Sequence, residues 1–97
     1  MKEITIDCRG FIPRSDLHRA FANALSFPDH YGNNLDALHD CLTEIHEDTR
    51  IRLVNWDAAE TALGSYARCA KRAILEAAVD NPNLAVLFDR EEPEEAN

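Results

Sequence analysis

The chain has 97 residues, 45% of them apolar, and a formal net charge of −8 at pH 7. That length supports one domain with a real but thin core. No apolar run approaches the ~18 residues of a membrane span, and the acidity disfavours direct binding to nucleic acid or anionic lipid headgroups.

The chain opens Met1-Lys2-Glu3-Ile4-Thr5-Ile6, straight into a strand-like alternation that continues to Cys8. It carries no charged-then-apolar leader there, so a cytoplasmic location is expected. Arg9-Gly10 and Pro13 break the strand. Ser15 is placed to cap a first helix over Asp16 to Leu25, in which Leu17, Phe21, Ala24 and Leu25 fall on one side. A loop from Pro28 to Asn33 turns on Gly32. Asn33 or Asn34 can then cap a second helix from Leu35 to about Ile45, with Leu35, Leu38, Cys41, Leu42 and Ile45 as its apolar stripe.

Ile51, Leu53, Val54 and Trp56 read as a second strand. Asp57 is positioned to cap a short third helix, Ala58 to Leu63, which Gly64 stops. Ser65 can cap a fourth helix through about Val79, ended by Asn81-Pro82 and burying Tyr66, Ala70, Ala73, Ile74 and Ala77. Leu84 to Phe88 is a continuous apolar run of the kind found in fully buried strands. The expected domain is residues 1–89, followed by a charged tail over 90–97 that is expected to be disordered. Strands separated by helices imply parallel pairing, hence an α/β fold with a three-stranded parallel sheet and about four helices.

The three cysteines, Cys8, Cys41 and Cys69, are widely spaced and form no CxxC, which argues against a disulfide framework or a zinc knuckle. Each falls in an apolar pattern, so buried thiols are expected.

Charge is segregated along the chain. From Ala20 to Thr49 there is no Lys or Arg, while Asp29, Asp36, Asp40, Glu44, Glu47 and Asp48 all lie in that stretch. At ~100° per residue, Asp36, Asp40, Thr43 and Glu47 share one sector of the second helix, opposite its apolar stripe, with His39 at the edge. This row is costly: like charges at i and i+4 destabilise a helix by about 0.2–0.5 kcal/mol, and Asp is a poor residue for a helix interior. Asp36 benefits from the positive end of the helix dipole; Asp40 does not. His30, His39 and His46 lie in the same acidic stretch and would add positive charge to it at mildly acidic pH.

Catalytic readings fare poorly. A glycosidase-type carboxylate pair needs a cleft, and these carboxylates project from one exposed face. Asp36, His39 and Asp40 are close enough to converge on a metal, but surface His–Asp neighbours are ordinary and no metal or other cofactor is expected. Cys41 points to the apolar side, no serine stands in a nucleophile elbow, and no glycine-rich phosphate loop exists. The chain therefore reads as a binding protein, not an enzyme.

The run Tyr31-Gly32-Asn33-Asn34-Leu35-Asp36-Ala37-Leu38-His39-Asp40-Cys41-Leu42 resembles the YGxNLDALxDCL signature of the barstar family of ribonuclease inhibitors. Ser15-Asp16-Leu17-His18, Pro28 and Glu76-Ala77 also match in type and spacing, so the resemblance runs to about Asp89. It implies an intracellular inhibitor whose second helix and preceding loop enter the active site of a basic, barnase-like or toxin-domain ribonuclease. It further implies that Asp40 stands in for a substrate phosphate and Asp36 pairs with basic residues. Asn33 and Thr43 match positions of polar contact, and Glu76 matches an acidic residue at the rim. The chain departs from the family pattern at three positions: it has His39 and Ile45 where the family has tryptophans, and His30 where the family has a tyrosine; these positions bear on which enzyme is fitted. The partner implied is a protein, with no direct nucleic acid or membrane contact, and the chain is expected to be a monomer before binding. The alternative is a barstar-like acidic module that binds some other basic protein.

Overall fold

A computed structural model describes residues 1–11 and 13–89. The predicted tail over 90–97 lies outside the described residues. The elements run β1 (Lys2–Asp7), α1 (Ser15–Leu25), α2 (Leu35–Thr43), β2 (Thr49–Val54), α3 (Trp56–Leu63), α4 (Ser65–Asp80) and β3 (Leu84–Phe88). The strands form one parallel sheet in the order β1-β2-β3. This is the α/β architecture with three parallel strands and four helices. Among the described residues, no helix is long and apolar enough to cross a membrane.

Register sets which side of the sheet is covered. Ile4 and Ile6 stand beside Ile51 and Leu53, which stand beside Val86 and Phe88. These side chains and Cys8 face the helices, and they meet Leu17, Phe21, Leu38, Leu42 and Ile74 in one core. The alternate positions face solvent as a polar ladder. Arg50 pairs with Glu3 at 3.1 Å, Arg52 with Asp89, and Asn55 donates to Asp7 at 3.0 Å.

The one-sided sheet corrects the expectation for Leu84 to Phe88. In this run only Leu84 is buried, and Leu87 is 50% exposed. A continuous apolar run signals a strand covered on both faces, but here β3 is an edge strand covered on one.

Helix boundaries differ from expectation in ways that trace to backbone chemistry. Trp56 is not a strand residue; it opens α3, and Asn55 before it sits in the left-handed region at φ 61°. Asp57 is accordingly in the first turn, favourable for the dipole, and is not the cap. Ser15 and Ser65 are likewise first helical residues, preceded by Arg14 and Gly64, and neither of these helices has a side-chain cap. Gly64 takes φ 57°, ψ −128°, a conformation a side chain would resist, which lets α3 and α4 meet at a sharp corner.

The thiols divide. Cys8 is buried, Cys41 half-buried and Cys69 exposed. Burial pushes the Cys8 thiol up to about 12. Cys69 departs from expectation because Ala67, Ala70, Ile74 and Ala77 set the buried side of α4, and Cys69 is out of phase with them.

Candidate functional site

The acidic face depends on α2 being held at both ends. At its start, Asn34 is extended and its Oδ1 accepts from the Ala37 backbone N–H at 2.8 Å, while its Nδ2 donates to the Gly32 carbonyl at 3.2 Å. Asn34, and not Asn33, is thus the cap. A Cβ on Gly32 would lie 3.0 Å from that same Nδ2, so a side chain there would push on the capping group. Asn33 sits in the left-handed region at φ 54°, which asparagine tolerates, and remains exposed beside Asp36.

The other end is closed by Asn81, a residue the sequence shows only as a helix stop. Its buried Nδ2 donates to the carbonyls of Leu42 and Ile45, both at 3.0 Å, and its Oδ1 accepts from the Asn83 N–H at 2.9 Å. Helix-end carbonyls lack intrahelical donors, and Asn81 supplies two. This is why α2 ends at Thr43 and does not run to Ile45. Glu47 therefore leaves the acidic sector, and it pairs with Lys2 at 3.5 Å.

The loop before α2 is anchored by a buried imidazole. His18, 1% exposed, has Nδ1 2.6 Å from the Tyr31 hydroxyl and Nε2 2.7 Å from the Tyr66 hydroxyl. Burial, and secondarily the Arg14 charge, hold its pKa below the ordinary histidine value. Neutral imidazole has one donor and one acceptor nitrogen, so one tyrosine donates and the other accepts. Burial pushes both phenols upward and keeps them protonated. The Arg14 guanidinium lies 4.7 Å from the Tyr66 ring centroid. The sequence signal for this centre was that His18 falls beside Leu17 on the buried side of α1, where an imidazole must find partners.

Between these anchors, α2 buries Leu38 and Leu42 and turns its acids outward. Asp36 is exposed, and the Asp40 side chain is 76% exposed. The Thr43 hydroxyl donates to the Asp40 backbone carbonyl at 2.9 Å, leaving its oxygen free to accept. His39 lies between two carboxylates: Nδ1 is 3.6 Å from Asp40 and Nε2 is 3.5 Å from Asp80 of α4. A shallow groove of about 430 Å³ between α2 and α4 is lined by Asp36, His39, Asp40 and Glu76, with Arg72 as its cation. Asn33 lies in an adjoining depression with Arg14, Asp36 and Tyr66. His30, exposed on the loop, lines neither depression, and Thr43 stands at the far end of the row. Among the described residues, no group of three or more His, Cys, Asp or Glu side chains is arranged to hold a metal ion.

The sequence matches the family described as Barstar (barnase inhibitor) over residues 1–91. The chain belongs to the barstar family. It is also 44% identical over 78 residues to "Putative ribonuclease inhibitor YrdF" of Bacillus subtilis (strain 168), a match covering 79% of this chain and 86% of that protein. The barstar family is one of inhibitor proteins and not of enzymes.

Proposed function

We propose that this barstar-family chain inhibits a basic ribonuclease by laying the acidic face of α2 into its active site, with the Asp40 carboxylate in the position of a substrate phosphate. The observation that carries this reading is Asp40 itself. It is exposed, costly to its own helix, and presented from a helix pinned by Asn34 and Asn81. A ribonuclease gathers cationic side chains around the phosphate it cleaves, and a rigid row of carboxylates is complementary to such a site. Asp36 supports Asp40 one turn earlier, Glu76 extends the acidic surface across the groove, and Asn33 and Thr43 offer polar contacts. His39 and His30 replace aromatic anchors and so set which enzyme is accepted. The inhibitor would act in the cytoplasm, against a nuclease made there or delivered there.

The test is inhibition of RNA cleavage by a barnase-like enzyme and by a nuclease captured on this chain from its host. Expected is inhibition by the parent and its loss in Asp40→Ala. A captured basic protein with no ribonuclease activity would favour the other reading, an acidic module for a different partner.

A further inference from the structure

The outer face of α4 is built against its own stability. Arg68, Lys71 and Arg72 occupy its first half, and Glu76 and Asp80 its second. The helix has no acid in its first turn and no base in its last turn. Helix dipoles favour the reverse order, with acids at the start and bases at the end. Of the charges on this face that stand at i and i+4, Arg72 and Glu76 have the base before the acid, the weaker orientation, while Arg68 with Arg72 and Glu76 with Asp80 are like-charge pairs. Among the described residues, no ion pair engages Arg68, Arg72 or Glu76. Lys71 leans over the Phe88 ring at 5.1 Å, and Asp80 faces His39.

Along the same face run two exposed apolar side chains, Leu75 at 42% and Val79 at 84%. They line an open groove of about 770 Å³ on α4, flanked by Glu60 of α3. The residues 68, 72, 75 and 79 follow the 4-3-4 spacing of a helix-pairing seam. The seam is basic in its first half and apolar in its second, and Glu76 and Asp80 flank the apolar half.

A face whose charge reverses about its own middle is complementary to itself when turned by a two-fold axis. We propose that the outer face of α4 is a two-fold interface through which two copies of this chain pair, helix against antiparallel helix. In that arrangement Lys71 and Arg72 of one copy stand beside Glu76 of the other, and Arg68 stands beside Asp80. Leu75 and Val79 pack on the aliphatic stems of the opposing arginines, which carry apolar carbon up to their charged ends. The charge order that opposes the dipole within one helix is compensated by the second, antiparallel helix. One short helix face per copy is a small contact, so the pair forms at high protein concentration and weakens with salt.

Sedimentation velocity on the full chain, from micromolar to near-millimolar concentration, reads the result directly. The weight-average mass should climb from that of one chain toward that of two, and high salt should move the rise to about tenfold higher concentration or more. Two variants decide the geometry. Arg68→Glu with Arg72→Glu makes the face wholly acidic apart from Lys71; Glu76→Lys with Asp80→Lys makes it basic. Each variant moves charge in the direction the dipole prefers, so each should fold, which circular dichroism checks. Each alone should stay at the mass of one chain, and an equimolar mixture should reach the mass of two. A parent chain that stays at one mass throughout overturns the proposal, as does a parent dimer unmoved by the reversals. A mixture that fails to pair overturns it as well.

Discussion

Acidification should loosen this fold through one residue, His18. The imidazole is buried between two tyrosine hydroxyls, and its pKa is held below the ordinary value, first by burial and then by Arg14. In the unfolded chain it titrates near ~6.5. Well above that pH both states carry neutral imidazole and His18 contributes no slope. Below it the unfolded state binds a proton that the folded state does not, so stability falls as pH falls. One proton is worth about 1.4 kcal/mol per pH unit, acting from the unfolded value down to the lower folded one. Against a typical total of about 5–15 kcal/mol, a loss at that rate is readily measured. Asp7 does not confuse the window. The hydrogen bonds from the Arg9 side chain hold its carboxyl well below the usual range, so its contribution persists above ~3.9 and is lost only below it. The assay is urea unfolding followed by circular dichroism at several pH values from 8 to 5, on the parent and on His18→Gln. The variant should lose about 1–3 kcal/mol at neutral pH, because one tyrosine hydroxyl loses its partner in a buried site. Its pH slope below the ordinary histidine value should be shallower than the parent's. Parallel slopes in the two proteins would refute the reasoning, whatever the absolute stabilities.

Asp40→Ala should leave the melting temperature unchanged or slightly raised, since it relieves repulsion with Asp36 and installs a better helix former. It should weaken ribonuclease binding by at least about 2–5 kcal/mol, while Glu44→Ala, off the acidic row, costs little. Association with the enzyme, measured by stopped flow, should slow steeply with salt, and a flat profile would count against steering by the α2 face. Asn81→Ala should cost about 1–3 kcal/mol in urea unfolding, as the Ile45 carbonyl and the Asn83 N–H lose their carboxamide partner and the Leu42 carbonyl keeps only backbone donors; a loss under half a kcal/mol would mean water replaces the carboxamide. Thiol labelling of the native protein should proceed fast at exposed Cys69, slowly at Cys41 and hardly at all at Cys8. Equal rates at Cys8 and Cys69 would contradict the described packing.

Much of this was legible because the relevant interactions are local. Apolar spacing marked every helix and strand, and the Tyr31 to Leu42 motif carried both the family and the acidic face. What escaped is non-local. Nothing near His18 in sequence announces Tyr66, 48 positions away. Nothing near Leu42 announces Asn81, and that bond is what shortens α2 and removes Glu47 from the acidic row. The apolar run of β3 states that a strand is there, but not that helices cover only one side of it. Asn55 entered the left-handed region and drew Trp56 out of the second strand, a backbone choice that side-chain periodicity does not report.

The topology of the sheet also bears on how the chain comes to be folded. Lys2 lies beside Thr49, and Thr49 beside Leu84. No strand is joined to its neighbour by a hairpin, so no part of the sheet can zip from a tight turn. Each pairing must close a long loop, at an entropic cost incurred before any strand contact forms. The central strand β2 meets both others, yet has no partner until one of the two helical crossovers has collapsed. Refolding should therefore be slower than for a helical bundle of equal length.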